Sequence, residues 1–240
     1  MEQDISRELV GKIFGVHRNT ASKYIDIWTP HFGNVGDCMS ILPFIDEEFL
    51  DKTEPISYKK IGLRKTGAVV DGKDFKTDTV RVNRVVNNAQ HSNKVATSAV
   101  RILTWTTPMG LCFERTRGFF ACASEKGIMI LWGSKGRIRI PIGYIVLGDK
   151  GFDNTSLCYY NFNLTLHPAF LTNAQFNESE NGLNTNISQV RYTSEVFYSR
   201  VTNRKVLYGT FPRNKFHFFE DYCSWAHGRA NMYQPLQRFE

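Results

Sequence analysis

The chain has 240 residues, of which 30 are Lys or Arg and 23 are Asp or Glu, so its formal net charge is +7. This length allows one large domain or a medium domain with a small module, and the positive charge favours a polyanionic partner such as nucleic acid. No apolar stretch approaches the length that crosses a bilayer, and the polar start MEQDISRE is not a secretory signal. We therefore expect a soluble intracellular protein without a membrane partner.

The five cysteines are scattered along the chain and none of them forms a C-x-x-C pair. This pattern indicates neither a disulfide framework nor a zinc site.

Two helices are predicted at the start of the chain. Apolar residues recur at helical spacing over residues 5–28, with one interruption at Gly15. Their order fits a helix-turn-helix unit whose second helix enters the major groove of DNA, with small or apolar residues at Val10, Gly11, Phe14, Val16, Ala21 and Tyr24. Six polar residues would then face DNA: His17, Arg18, Asn19, Thr20, Ser22 and Lys23. The alternative is an ordinary amphipathic hairpin with a solvated polar face.

Residues 29–60 are predicted to be an irregular connector with one helix at most, because Pro30, Pro43 and Pro55 interrupt the segment. The pattern then changes to strands. Segments 67–78, 98–108 and 111–122 predict a meander of three antiparallel strands.

The second half of the chain combines strands and helices. The pattern predicts a short helix at 124–132, a buried strand at 143–149, a brief strand at 163–167 and a long helix from about Asn177 to Val206. The aromatic segment 215–237 predicts a terminal helix that closes the core, with an interaction surface as the alternative. Strands first and helices interleaved later predict a mixed α/β domain.

Three carboxylates stand out from this pattern. Asp71 follows the apolar run of the first strand, Asp149 follows that of the later strand, and Glu195 lies on the long helix one turn after Arg191. In one sheet the two aspartates could converge at one edge. Three charges about 4 Å apart would repel one another by roughly 4 kcal/mol per pair at an effective dielectric constant of about 20, so such a cluster needs cations. Hard divalent ions accept oxygen ligands, and two of them can assist phosphodiester cleavage.

Each acid also has a simpler interpretation. Asp149 could form a turn at the strand end, and Asp71 followed by Gly72 could be a turn. Glu195 could form a surface ion pair with Arg191. The order and context of all three acids favour the functional interpretation.

The chain resembles the DDE-type transposases, in particular the Harbinger-like DDE endonucleases, over nearly its whole length. Seven segments carry the resemblance in the family's order: GVHRNTASKYIDIW, KTEPISYKKIGLRKTGAVVDGKDF, NAQHSNK, VLGDKGFDN, LHPAFLTNAQFNESE with a turn at Pro168, ISQVRYTSEVFYSRVTNRKVL and DYCSWAHGRANMYQPL. The resemblance implies an RNase H-like mixed sheet with flanking helices, preceded by the helix-turn-helix. It also implies that Asp71, Asp149 and Glu195 are the catalytic and metal-binding acids.

The resemblance further implies two Mg²⁺ or Mn²⁺ ions and double-stranded DNA, transposon ends and target, as the partner. Metal-activated water would cut DNA at the transposon ends, and the freed 3′-hydroxyl would attack target DNA. Lys94 is retained from the family pattern, although the His-Asn pair that usually follows is missing. We expect Lys94 and Arg191 to contact DNA, with a solvated lysine as the alternative for Lys94.

The expected domains are a helix-turn-helix segment (1–30), a connector (31–65), a catalytic domain (66–210) and a C-terminal helical segment (211–240). An accessory DNA-binding protein is expected to supply further recognition of DNA ends, and the active complex is expected to be a homo-oligomer. The location would be nuclear in a eukaryotic host and cytoplasmic otherwise. A host-recruited, catalytically silent DNA-binding protein is the main alternative, and a nuclease of the same fold acting in repair or on RNA is the third.

Overall fold

A computed structural model of the chain describes residues 6–42, 45–79, 83–133, 140–149, 151–152, 165–166, 177–203 and 205–236. The helices are α1 (Arg7–Ile13), α2 (Arg18–Ser40), α3 (Glu47–Lys52), α4 (Ile56–Lys60), α5 (Arg84–Gln90), α6 (Glu125–Gly133), α7 (Glu178–Thr202), α8 (Lys205–Tyr208), a 3-10 helix (Arg213–Phe218) and α9 (Phe219–Ala230). The strands are β1 (Thr66–Lys76), β2 (His91–Ser92), β3 (Thr97–Thr106), β4 (Cys112–Arg115), β5 (Phe119–Phe120), β6 (Ile145–Leu147) and β7 (Thr165–Leu166). The predicted turn at Pro168 lies outside these residues.

The strands form one mixed sheet in the order β2-β3-β1-β6-β7. One edge of β3 pairs antiparallel with β1, and β2, β5 and β4 share its other edge. β6 pairs parallel with β1, and β7 pairs parallel with β6. The predicted antiparallel meander is confirmed by β1, β3 and β4. The mixed α/β class is confirmed as well.

Alternate residues of the central strands enter two separate cores, because side chains on a strand point to opposite faces in turn. Val70 and Trp105 belong to the core that α6 covers, whereas Phe75 and Ile102 belong to the core of α7 and α9. Helix α7 carries an apolar stripe whose four members are almost fully buried: Ile187, Val190, Phe197 and Val201. The sheet is thus covered on both faces.

Helix α2 is longer than the sequence predicts. Pro30 lies inside this helix, which ends at Ser40, so the expected irregular structure from residue 29 is wrong for this part. The second half of α2 packs closely against α9. A Cβ added to Gly36 would lie 2.3 Å from the carbonyl oxygen of Ser224, and one added to Gly228 would lie 2.5 Å from that of Gly36. This close packing stabilises the helix beyond the proline, which cannot donate its own hydrogen bond.

A buried arginine ties α2 and α9 to the sheet. The Arg115 guanidinium on β4 donates to Asp37 of α2 at 2.7 Å and to Glu220 of α9 at 3.3 Å, and it also contacts Ser224. These charged contacts fix the outer helix pair relative to the strands that carry the site.

Helices α1 and α2 form the predicted pair, with the turn at Gly15, where φ is +64°. Ala21 is buried between the helices. However, Phe14 is 73% exposed and Tyr24 is 58% exposed, although both were expected inside a helix-turn-helix core. The pair is a helical hairpin, and a DNA-binding helix-turn-helix unit is not confirmed. Every helix in the described ranges is too short or too polar to span a bilayer.

Candidate active site

Asp71 and Asp149 lie at the same level of neighbouring parallel strands. Val69 of β1 pairs with Leu147 of β6, and each aspartate follows its member of that pair by two residues. β6 ends at Leu147, whereas β1 continues to Lys76. The site therefore lies where β6 ends beside a longer strand. This register supports the predicted convergence of the two aspartates.

Asp71 is held by its own strand and by α7. Its Oδ1 accepts a hydrogen bond from the Gly72 N–H at 2.8 Å, and its Oδ2 accepts one from Ser194 Oγ at 3.2 Å. The Tyr198 hydroxyl lies 3.0 Å from the Asp71 carbonyl oxygen. Because Asp71 lies inside β1, its interpretation as a turn residue is wrong.

Burial raises the pKa of Asp71 above its ordinary value. The Glu125 carboxylate raises this pKa further, whereas the Gly72 hydrogen bond, the Arg191 charge and the Ser194 hydrogen bond act in the opposite direction. The net upward shift means that ionisation of Asp71 is less favourable than ionisation of a solvent-exposed aspartate. A nearby cation would favour ionisation.

A buried polar chain supports this position from the interior. Tyr198 Oη lies 2.9 Å from Thr104 Oγ1, and His227 Nε2 lies 3.1 Å from the same oxygen. His227 Nδ1 lies 2.8 Å from the Cys223 carbonyl oxygen, so we assign the ring proton to Nδ1. Nε2 then accepts a hydrogen bond from the Thr104 hydroxyl. Burial lowers the pKa of His227 to about 3, so this ring is neutral near pH 7. The chain links α7 and α9 to the central strands.

Glu195 lies on the turn of α7 that contacts Asp71, but its side chain is exposed. Ser194, the preceding residue, makes the contact with Asp71. In the described part of the chain no salt bridge joins Glu195 to Arg191, so the expected surface pair is not formed. The Arg191 charge instead acts to lower the pKa of Asp71, and its buried Nε has no hydrogen-bond partner among the residues that the structure describes. Glu195 therefore lies next to a residue that contacts Asp71, with its own side chain exposed.

Asp149 forms a tight turn after β6. Its Oδ1 accepts from the Gly151 N–H at 2.7 Å, and its carbonyl oxygen accepts from the Phe152 N–H at 3.1 Å. Phe152 is fully buried and anchors this turn in the core. The interpretation of Asp149 as a turn former is therefore confirmed. The other carboxylate oxygen of Asp149, Oδ2, takes no part in the turn hydrogen bond.

Glu125, in the first turn of α6, is an acid that the sequence analysis missed. A Cβ added to Gly72 would lie 2.6 Å from Glu125 Oε1. One added to Gly151 would lie 3.1 Å from Glu125 Oε2 and 2.9 Å from Asp149 Oδ1. The Glu125 and Asp149 carboxylates thus border the same small space. An acid in the first turn of a helix is common for electrostatic reasons, so the sequence carried no specific signal for it.

Lys94 and Arg101 neutralise Glu125. Lys94 Nζ forms an ion pair with Glu125 Oε1, and Arg101 Nε lies 4.0 Å from the same oxygen. Arg101 also donates to Asp74 at 2.7 and 2.9 Å and to the Ala123 carbonyl oxygen at 2.8 Å, which fixes the start of α6. Lys94 is thus exposed to solvent but also paired with a buried carboxylate.

The acids at this site suit a hard divalent ion. Asp71, Glu125 and Asp149 offer carboxylate oxygens, which Mg²⁺ and Mn²⁺ prefer. Gly72 leaves free a space that borders Glu125, and Gly151 leaves free a space that borders both Glu125 and Asp149. Among the described residues, no three His, Cys, Asp or Glu side chains already close around a single ion position. The donor chemistry of these acids suits a divalent ion.

The predicted DNA contacts of α2 lie at its exposed start. His17 caps the helix by accepting from the Asn19 N–H at 3.2 Å. Five of the six predicted residues are exposed: His17, Arg18, Asn19, Thr20 and Lys23. Ser22 is half-buried and contacts Arg7, and Arg18 pairs with Glu8 at 3.0 Å. An exposed pair of this kind is weak and separates easily.

Comparisons with known proteins agree with this geometry. No curated protein and no solved structure matches the chain. A family model described as DDE superfamily endonuclease matches residues 70–228, which is more than half of the chain. The matched range includes Asp71, Glu125, Asp149 and Glu195, and the mixed sheet with flanking helices fits an RNase H-like DDE fold. The chain therefore belongs to the DDE superfamily endonucleases.

Proposed function

We propose that this protein is a Harbinger-like DDE transposase that cuts and joins DNA at transposon ends with two Mg²⁺ or Mn²⁺ ions. Family membership implies DNA as the substrate. The register of β1 and β6, with Asp71 and Asp149 at one level, is the observation that carries the proposal. Glu195, on the adjoining turn of α7, is the proposed third acid.

The bound ions would activate the attacking oxygen and stabilise charge on the leaving oxygen of the phosphodiester. The protein's own residues would position the reactants. Ser194 and Tyr198 orient Asp71, and the turn at Gly151 orients Asp149. The Arg191 charge is close enough to Asp71 to oppose part of the rise in the Asp71 pKa. The Arg191 guanidinium is therefore well placed to attract a DNA phosphate at the site.

The N-terminal hairpin formed by α1 and α2 would bind DNA outside the catalytic site, through the exposed residues at the start of α2 and the overall charge of +7. An accessory DNA-binding protein and a second copy of the chain would complete the active complex. A nuclear location in a eukaryotic host follows from this proposal.

The test is nicking of supercoiled plasmid DNA by the full chain with Mg²⁺ or Mn²⁺. We expect metal-dependent nicking that Asp149→Ala abolishes and that Glu48→Gln leaves intact, because Glu48 is an exposed acid on α3. Nicking that persists in Asp149→Ala, or that does not require metal, would contradict the proposal.

A catalytically silent DNA-binding protein is the second candidate. It is favoured by the exposed side chain of Glu195 and by the lack of a closed acidic cluster among the described residues. Tight binding of duplex DNA without nicking under either metal would select this candidate.

A further inference from the structure

We propose that Glu125 is an additional ligand of the divalent ion, and that Lys94 occupies the cation position on Glu125 until an ion displaces it. The inference rests on the proposed function and deepens it. Lys94 would then compete with the metal ion for the Glu125 carboxylate, although the two residues lie 31 positions apart in the chain.

The position of Glu125 is the first step. Its carboxylate reaches β1 because Gly72 has no side chain there, and it reaches the turn after β6 because Gly151 has none. Glu125 Oε2 and Asp149 Oδ1 lie at nearly equal distances, 3.1 and 2.9 Å, from the point where a Gly151 Cβ would stand. The charge of Glu125 also raises the pKa of Asp71. Glu125 is thus an electrostatic neighbour of Asp71 and borders the same space as Asp149.

Burial of Glu125 is the second step. Its side chain is only 8% exposed, and a carboxylate this far from water needs a cation nearby. Among the described residues, two cations form ion pairs with Glu125. Arg101 is committed to Asp74 and to the Ala123 carbonyl oxygen, and its Nε is 4.0 Å from Glu125. Of these two, the Lys94 ammonium is the one in direct contact with Glu125.

The mobility of Lys94 is the third step. Its side chain is 51% exposed and consists of a flexible stem with a point charge, so it can leave without unfolding any element. A divalent ion at the Glu125 carboxylate would compete with Lys94 directly. Once displaced, Lys94 would be free to pair with a phosphate oxygen of the DNA strand at the site.

Competition predicts effects of opposite sign for the two residues. Removing the Glu125 charge removes a ligand and should weaken Mn²⁺ binding by about tenfold or more. Removing the Lys94 charge removes the competitor and should tighten Mn²⁺ binding by about fivefold. The double variant should resemble the Glu125 variant, because Lys94 competes only through Glu125.

The experiment is calorimetric titration of Mn²⁺ into the full chain without DNA, for wild type, Glu125→Gln, Lys94→Met and the double variant. The matched controls are Glu48→Gln and Lys52→Met, which remove either member of an exposed Lys–Glu pair on α3. Neither control should change the affinity. Circular dichroism checks folding, and Glu125→Asp, which keeps a shorter carboxylate, replaces Glu125→Gln if that variant unfolds. Glu125→Asp should bind Mn²⁺ more weakly than wild type.

Unchanged affinity in the Glu125 variant overturns the ligand assignment, and weaker or unchanged affinity in Lys94→Met overturns the competition. If Asp149→Asn loses Mn²⁺ binding while both of these variants behave as wild type, the proposed function stands and this inference fails. If the wild type binds no Mn²⁺, both fail together.

Discussion

Asp71 lowers the stability of the folded protein and also has a proposed role at the site. Its side chain lies half-buried on β1 where it contacts α7, and burial is the main reason that its pKa is raised. Ser194 and the Gly72 N–H stabilise the ionised form but do not reverse the shift. Residues kept for binding or catalysis commonly lower the stability of the protein that carries them.

We predict that Asp71→Asn raises the melting temperature of the metal-free protein at pH 7 and lowers plasmid nicking by at least about a hundredfold. Because the folded-state pKa is raised above 3.8, stability falls as pH rises from that value through the raised pKa. Asparagine does not ionise, so the variant does not lose this stability as pH rises. Thermal unfolding of wild type and variant at pH 4 and pH 7 measures the difference in melting temperature, with Glu48→Gln as the control. A variant that is less stable at pH 7 and still nicks DNA would contradict this role.

At the scale of elements, the α2–α9 pair shows how the hairpin is attached to the sheet domain. Gly33, Gly36 and Gly228 allow the two helices to approach at backbone distance, where any side chain would collide. The Arg115 contacts then join the pair to β4. The attachment depends on glycine at these positions.

We predict that Gly36→Ala destabilises the protein by about 3 kcal/mol, because its Cβ would lie 2.3 Å from a backbone oxygen of α9. Gly182→Ala on α7 is the matched control. Among the described residues, no atom outside its own helical turn lies within 4 Å of its Cβ position, so the alanine should stabilise the helix by about 0.5–1 kcal/mol. Urea unfolding measures both changes. Equal effects of the two substitutions would contradict the packing described for α2 and α9.

Elements with strong periodicity were predictable from the sequence. β1, β3 and β6 follow from runs of apolar residues, and α7 follows from apolar residues at helical spacing. The position of Asp71 and Asp149 at one level of neighbouring strands follows from the ends of two such runs. The continuation of α2 through Pro30 was not predictable, because packing against α9, which is distant in sequence, stabilises the second half of α2. Glu125 was missed for a similar reason. Its place at the site depends on two glycines that are far from it in sequence, and no local pattern reports that contact.

At the scale of the whole molecule, cationic residues lie in two places that suit DNA. Arg18 and Lys23 are exposed at the start of α2, and Lys94 and Arg191 lie beside the acids. The net charge of +7 adds a general attraction for polyanions. We propose that the hairpin contributes affinity and that the acidic site contributes chemistry.

We predict that Arg18→Ala weakens binding to duplex DNA and lowers the slope of log affinity against log salt by about one, if Arg18 contacts a phosphate. Breaking its exposed pair with Glu8 offers little resistance to such a contact. Fluorescence anisotropy at several salt concentrations gives the slope, and Lys52→Met on α3 serves as the control. An unchanged slope would exclude the phosphate contact.

The most direct measurement is the anomalous scattering of crystals soaked in Mn²⁺. We expect Mn²⁺ peaks within coordination distance of the carboxylates of Asp71 and Asp149, with Glu125 released from Lys94 and Glu195 turned toward the ions. Peaks confined to other parts of the surface, or no peak beside either aspartate at saturating Mn²⁺, would contradict a metal-dependent nuclease centre at this site.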